Sequence, residues 1–186
     1  MNNRRVALAT ALTISVLAGC GTPSISGSAT TERPESAPAI ATSTTPALPE
    51  VTFDPCIDID DAILLRFGLE PTEREPDVLT LGRETIVSCG VPGDQRSVTL
   101  VAQNTPWDDI PFQVTPQAIT VNGREAWYVP GSLHDNGCSV LMRTSFGAVI
   151  INNTPSMGRR PDPTMDRCDG ALEMAEAIEP LIDDGT

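Results

Sequence analysis

The chain has 186 residues and a formal net charge of −13 at neutral pH, and all twelve of its basic residues are arginine. This length is enough for one domain with its own hydrophobic core plus a tail. Phosphate binding needs clustered arginine or lysine, so the acidic composition excludes nucleic acid from the expected partners. It also disfavours flat adsorption to anionic lipid headgroups.

The N-terminal residues have the organisation of a secretory signal peptide. Arg4 and Arg5 precede an apolar run over residues 6–18, and small residues close it. The run is shorter than the roughly twenty residues that a membrane-spanning helix needs. Residues 1–19 are therefore predicted to be an export signal, with the choice between the general and the twin-arginine route left open.

The sequence Leu17-Ala18-Gly19-Cys20 resembles the bacterial lipobox. In that motif the cysteine thiol receives a diacylglyceryl group and the cysteine becomes the new N-terminus. Two or more acyl chains on one residue hold a protein stably on a membrane. The resemblance implies a lipoprotein anchored through Cys20 to the extracytoplasmic face of the cell membrane.

Residues 20–50 are predicted to be a disordered tether. Ser, Thr, Pro, Ala and Gly dominate this stretch, and such a composition has too little apolar surface to offset the entropy of ordering. Whether its Ser and Thr side chains carry sugars stays open. The folded domain is predicted over residues 51–186.

The first half of the domain predicts one helix and two strands. Residues 58–67 fit a short helix capped by Asp58 and ended by Gly68. Residues 70–82 contain two prolines and scattered charges, which predicts a loop. Residues 85–91 and 96–103 are predicted strands with a turn at 92–95. Three prolines in residues 104–116 predict an irregular crossing with room for a short edge strand.

The second half predicts two hairpins and a helix. Asn122-Gly123 lies between two extended runs, as in a two-residue hairpin. Residues 138–143 and 146–152 predict another hairpin, and Gly147 suggests a bulge. Residues 166–182 predict an amphipathic helix with Leu172 on its buried face, which Pro180 kinks or ends early. The fold class is therefore α+β: an antiparallel β-meander packed on one face by a short N-terminal helix and a C-terminal amphipathic helix.

Four cysteines remain once Cys20 is assigned to the lipid: Cys56, Cys89, Cys138 and Cys168. An even number in an exported chain favours two disulfides, and four cysteines allow three pairings. We prefer Cys56–Cys89 with Cys138–Cys168, because each closes a moderate loop and ties a terminal helix to a strand. No Cys-x-x-Cys pair indicates a metal or redox site.

The order of these features resembles a known family. The resemblance rests on six features in chain order: Phe53-Asp54-Pro55-Cys56, Phe67-Gly68-Leu69, Cys89, the hairpin at residues 121–126, Cys138-Ser139-Val140 and Asp166-Arg167-Cys168. Behind a lipobox and a tether, they look like a family of actinobacterial lipoproteins, common in mycobacteria and nocardiae, with a four-cysteine domain of unknown function. The resemblance covers about residues 51–182. It implies the envelope location, the fold class and the two disulfides, and it supplies no catalytic residue.

No set of reactive residues stands out in the sequence. His134 is the only histidine. A Ser–His–Asp triad could combine it with Asp135 and either Ser132 or Ser139, which are close to it in sequence. The simpler interpretation is that His134 lies in a polar loop flanked by glycines. Asp54, Asp58, Asp60 and Asp61 could gather a calcium ion, yet helix N-termini attract aspartate without one. We therefore expect no enzyme, no metal and no cofactor.

The aromatic residues Trp107, Phe112, Trp127 and Tyr128 form the candidate recognition patch. Trp127 and Tyr128 are neighbours on one strand, so they are expected on opposite faces. The equally weighted alternative is that the segment around Trp107 is a lid over the open face of the sheet.

These observations lead to a non-enzymatic binding or adaptor module tethered to the cell envelope. The expected partners are the membrane, through the diacylglyceryl group on Cys20, and an envelope protein, a cell-wall polymer or a lipid ligand. The alternative is a lipid or glycolipid carrier with an apolar cavity under the sheet. A hydrolase acting on cell-wall material ranks third.

Overall fold

The computed structural model describes residues 46–132, 137–155 and 164–183. The chain divides into two compact units, residues 1–43 and 44–186, and the description concerns the second. The predicted signal peptide, the predicted lipid acceptor Cys20 and nearly all of the predicted tether lie outside the described residues, so the domain boundaries stay a prediction.

The described residues form seven strands and three α-helices. The strands are β1 (Glu75–Leu81), β2 (Glu84–Pro92), β3 (Arg96–Gln103), β4 (Gln117–Val121), β5 (Arg124–Pro130), β6 (Cys138–Arg143) and β7 (Ala148–Pro155). The helices are α1 (Pro55–Asp58), α2 (Asp61–Arg66) and α3 (Ala171–Ile178). Short 3-10 turns occupy Pro71–Glu73, Trp107–Asp109 and Glu179–Leu181.

All strands belong to one antiparallel sheet in the order β1-β2-β3-β7-β6-β5-β4. Two meanders meet at its centre, where β3 pairs with β7, because residues 104–116 carry the chain from β3 to the far edge and β4 to β7 then return. The three helices pack on one face over the main core. This confirms the predicted α+β fold with helices on one face of an antiparallel sheet.

The N-terminal helix differs from its prediction over residues 58–67. Two short helices replace it, since Ile59 and Asp60 adopt extended backbone between them. Asp54 caps α1, with its carboxylate accepting a hydrogen bond of 2.9 Å from the Cys56 amide. Ile59 is almost fully buried, so the break turns an apolar side chain into the core.

The C-terminal helix begins later than predicted. Residues 166–170 form turns, and α3 starts after Gly170, whose φ of 73° is left-handed. The expectation that Leu172 faces the core is wrong, since its side chain is exposed, and Met174 is buried instead. The helix ends at Ile178 and a 3-10 turn containing Pro180 follows, which confirms the early end.

The predicted loop over residues 70–82 contains strand β1, so that prediction is wrong. Every residue of β1 is exposed, because no described element covers either face of this edge strand. Its side chains therefore do not alternate between buried and exposed positions. Pro76 is compatible with an edge strand, where a missing amide donor costs little.

The two disulfides are Cys56–Cys89 and Cys138–Cys168, which confirms the preferred pairing. The first joins α1 to β2, and the second joins the segment before α3 to β6. The hairpin prediction is also confirmed. Asn122 and Gly123 connect β4 to β5 with φ values of 49° and 94°, the left-handed conformations that this turn requires.

Candidate functional site

The sheet face opposite the helices has an apolar centre. Side chains alternate along each strand, so Val101, Val129, Leu141 and Ile150 all point to this second face. Leu141 pairs with Ile150, which in turn pairs with Val101, so the apolar side chains run across three adjacent strands. None is more than 9% exposed. Something must therefore cover them.

The cover is the lid segment, residues 104–116. It leaves β3 at Asn104, which is 4% exposed and fixed from two directions. Its Oδ1 accepts a hydrogen bond of 2.7 Å from the Thr85 amide, and its Nδ2 donates one of 2.8 Å to the Pro49 carbonyl. Gly147 lies directly against this point, and a Cβ there would meet the Thr105 carbonyl oxygen at 2.8 Å.

Aromatic stacking holds the lid segment to the sheet. Trp107 stacks on Trp127 with ring centroids 3.9 Å apart, and Phe112 meets Trp127 edge-on at 4.7 Å. Trp107 is only 5% exposed. Trp107, Phe112 and Trp127 of the candidate recognition patch thus meet in one cluster. Their arrangement is that of the alternative interpretation, in which the segment around Trp107 covers the open face of the sheet. A 3-10 turn forms in the segment in place of the suggested edge strand.

An open cleft of about 280 Å³ lies between the lid segment and the strands. Its apolar side consists of residues from both layers: Ile110, Pro111, Phe112, Val114, Val129, Leu141 and Ile150. Its polar side is made of hydroxyl and carboxamide groups: Gln103, Gln113, Ser132, Ser139 and Asn152. Among the residues that the structure describes, no ionisable side chain lines this cleft, although the chain carries 25 acidic residues.

Three polar side chains of the cleft are linked by hydrogen bonds. The Ser139 hydroxyl donates to Asn152 Oδ1 at 2.6 Å, and the Ser132 and Ser139 hydroxyl oxygens are 2.5 Å apart. A hydroxyl has one hydrogen, so Ser139, having donated, must accept from Ser132. Ser139 is buried, while Ser132 and Asn152 are half-buried and border the open space.

Tyr128, the fourth residue of the candidate patch, lies apart from the other three. It points to the helix face and packs on the main core, as expected from its alternation with Trp127. Burial raises the pKa of its phenol, and the negative charges of Asp166, Asp169 and Glu173 raise it further. The patch is therefore split between the two faces of the sheet.

The other residues considered in the sequence have separate outcomes. His134 and Asp135 lie outside the described residues, whereas Ser132 and Ser139 belong to the wall of the cleft. Within the described ranges, no group of three or more His, Cys, Asp or Glu residues is placed to hold a metal ion. Asp54 caps α1, and Asp61 makes an ion pair of 2.7 Å with Arg74.

Sequence reasoning missed the polar wall of the cleft. Its signal was present in Ser139 and Leu141, which share a face of β6, and in Ile150 and Asn152, which share a face of β7. The pairing of Ser139 with Asn152 depends on the strand register, which local sequence does not fix.

Among the described residues, none of the helices is both long and apolar enough to span a membrane. A family model for proteins of unknown function, DUF3558, matches residues 15–181. No curated protein and no solved structure matches the chain.

Proposed function

The chain belongs to the DUF3558 family of proteins of unknown function, and on that premise we propose that it is a lipid-anchored binding module of the cell envelope. Its ligand or partner occupies the cleft beneath the lid segment. The protein is a member of an actinobacterial lipoprotein family and acts without catalysis. The observation that carries the proposal is the cleft itself, with a hydrocarbon floor and a hydroxyl and carboxamide wall.

The composition of the cleft supports binding. Ligand sites are typically concave and mostly apolar, with a few convergent polar groups that fix orientation. This cleft has that organisation, and the lining residues that the structure describes include no carboxylate, imidazole or amine that could serve as a general acid or base.

The proposed anchor rests on the sequence of residues 1–20, with its basic start, short apolar run and Cys20. The start of the described chain is held to the domain by two hydrogen bonds. Arg83 Nη1 donates to the Pro46 carbonyl at 3.0 Å, and Asn104 donates to the Pro49 carbonyl. The described chain therefore begins beside Asn104, the residue at which the lid segment leaves β3.

Photo-crosslinking in intact cells tests the binding function. A photoreactive phenylalanine replaces Gln113, an exposed residue of the cleft, and in a matched control it replaces Gln117, an exposed residue of edge strand β4. We expect a reproducible protein, polymer or lipid adduct at position 113 and none at position 117. Equal capture at both positions, or none at 113, would contradict the proposal.

Fractionation tests the anchor separately. We expect the unaltered chain in the membrane fraction. A Cys20→Ser chain whose residues 1–19 are replaced by an ordinary cleaved secretory signal should be in the soluble fraction, because the thiol is the acyl acceptor. Intact mass should show the diacylglyceryl addition on Cys20 alone. A Cys20→Ser chain that stays with membranes would refute lipid anchoring and leave the crosslinking result unaffected.

A lipid or glycolipid carrier is the alternative proposal. The apolar side of the cleft favours it, since hydrocarbon could lie along Leu141 and Ile150. From the sequence, such a cavity is expected under the sheet. The interface between the helices and the sheet is instead lined by closely packed buried side chains. Native mass spectrometry of detergent-free protein distinguishes the two functions: a retained acyl ligand indicates a carrier, and a clean protein mass indicates a binding module.

A further inference from the structure

We infer that the cleft selects an uncharged amphiphile: a group bearing hydroxyls or a carboxamide, joined to a short apolar group. An alkyl glycoside has this chemistry. The inference rests on the proposed binding function and specifies the ligand class for the same site.

The direction of the hydrogen-bond chain sets the first requirement. Ser132 donates to Ser139, which donates to Asn152 Oδ1. The Asn152 carboxamide therefore keeps its Nδ2 hydrogens for a ligand, and the Ser132 oxygen keeps lone pairs. One wall thus offers a donor and an acceptor side by side, which a hydroxyl or an amide satisfies, since each both donates and accepts. In the described lining, a carboxylate beside Asn152 would meet no positive charge, and an ammonium group beside Ser132 would meet no negative charge.

The described lining of the cleft carries no charged side chain, and this sets the second requirement. An ionised ligand group must leave water to enter a largely apolar cleft, and it needs an opposite charge or several hydrogen bonds in return. Gln103, Gln113, Ser132, Ser139 and Asn152 supply only neutral dipoles. The cleft therefore discriminates against both anions and cations.

The volume sets the third requirement. A cleft of about 280 Å³ holds roughly nine water volumes, so it encloses the junction of a sugar or amide group with the first carbons of an alkyl chain. Because the cleft is open, the rest of a longer ligand extends out of it. The apolar side, which includes Phe112, Leu141 and Ile150, contacts the hydrocarbon part of such a ligand. Phe112 also touches Trp127.

The two tryptophans of the chain provide the readout. Trp107 and Trp127 stack on each other next to the cleft, so their fluorescence reports its occupancy. The chain from residue 20 onward carrying Cys20→Ser, which lacks the apolar run at residues 6–18, is titrated with octyl glucoside, octanoate and octylammonium, each below its micelle concentration. We expect a saturable change with octyl glucoside and affinities lower by roughly tenfold or more for the two charged probes, because each must bury an unpaired charge.

Two variants test the polar wall. Asn152→Asp keeps an oxygen for Ser139 but replaces the donor with a carboxylate oxygen, and Ser132→Ala removes the acceptor. We expect either change to weaken octyl glucoside binding by roughly three- to tenfold, the effect of one hydrogen bond. Gln117→Glu adds the same charge as Asn152→Asp on edge strand β4, away from the cleft, and should leave binding unchanged.

Each outcome decides between the two proposals. Equal affinity for octanoate or octylammonium, or unchanged octyl glucoside binding in both wall variants, would overturn the ligand class. If no probe binds but crosslinking at position 113 still captures a partner, the ligand class is wrong and the binding function holds. If crosslinking also fails, the cleft is not the binding site.

Discussion

Tyr128 is the residue whose ionisation depends most visibly on the fold. Its ring lies half-buried on the helix face, and Asp166, Asp169 and Glu173 contribute negative charge around it. Burial is the larger cause and the acidic neighbours are the smaller one, and both favour the neutral phenol. Because the chain has one tyrosine, its titration can be followed without assignment.

We predict that the absorbance of tyrosinate in the folded protein appears at a pKa above the ordinary value near 10. Because the folded state holds this proton more tightly than the unfolded state does, the neutral phenol contributes to the free energy of unfolding, and this contribution is complete below pH 10. It is lost as the pH rises through the folded pKa. Glu173→Gln should lower that pKa, whereas Glu176→Gln on the same helix should not. A folded titration that coincides with the urea-unfolded one would contradict this account.

Arg74 connects several groups that would otherwise lack partners around α1 and α2. Its two terminal nitrogens donate to the Cys56 carbonyl at 2.6 Å, the Ile59 carbonyl at 2.8 Å and the Asp61 carboxylate at 2.7 Å. Helices of four and six residues are too short to be stable alone, so these contacts help to fix them.

Arg74→Met should lower the free energy of unfolding by about 1–3 kcal/mol, because carbonyls that Arg74 satisfies lose their donor. Arg66→Met is the matched control on α2. Arg66 is exposed and lies over the Phe67 ring at 5.0 Å, so its loss should cost less than about 1 kcal/mol. Urea unfolding monitored by circular dichroism measures both, and equal losses would argue against a special role for Arg74.

The β4–β5 hairpin holds the end of α3 through a largely buried ion pair. Arg124 Nε and Glu179 Oε1 are 3.0 Å apart, with side chains 13% and 17% exposed. Arg143 and Glu125 form a pair of 2.8 Å whose side chains are 49% and 56% exposed. The two pairs have similar distances and different burial, which makes them a natural comparison.

We predict that Arg124→Met costs about 3 kcal/mol or more, because Glu179 is left as a partly buried charge without its partner. Arg143→Met should cost less than about 1 kcal/mol, as expected for an exposed pair screened by water. Salt should change the second value more than the first. Similar losses in the two variants would show that burial does not decide the strength of these pairs.

The elements that could be predicted from sequence are those with a local physical signature. In strand β3, Val98, Leu100 and Ala102 lie on the helix-covered face and alternate with Ser97, Thr99 and Gln103, although Val101 on the other face is also buried. Asn122-Gly123 is by itself the signature of a two-residue turn. Strand β1 has no such signature, since all of its residues are exposed. The start of α3 was missed because left-handed Gly170, rather than the Asp166 in the turn before it, precedes the helix.

At the scale of the molecule, the cleft could not be read from the sequence because it is assembled from distant segments. Phe112 comes from the lid segment, Leu141 from β6 and Asn152 from β7. Their proximity depends on the crossing of the chain from β3 to the opposite edge of the sheet. The pairing of Trp107 with Trp127 depends on the same crossing, so composition could suggest aromatic contacts but could not locate them.

Both disulfides lie on the helix face of the sheet, and neither lies on the face that the lid segment covers. Cys56–Cys89 and Cys138–Cys168 both join helical segments to strands through the main core, while the lid segment is held by stacking and hydrogen bonds. The bonded cysteines are 33 and 30 residues apart in sequence. By loop-closure entropy, each bond stabilises the fold by about 3–4 kcal/mol.

Replacing either cysteine pair with alanine should therefore lower the free energy of unfolding by about 3–4 kcal/mol, measured in urea on the Cys20→Ser chain. The tryptophan cluster lies across the sheet from both bonds, so the folded protein should keep its native fluorescence and its affinity for octyl glucoside. Peptide mapping without reductant should recover the remaining pair intact. Lost fluorescence in a variant that retains its helical circular dichroism would show that the two faces are not independent, because the lid would then depend on a bond it does not touch.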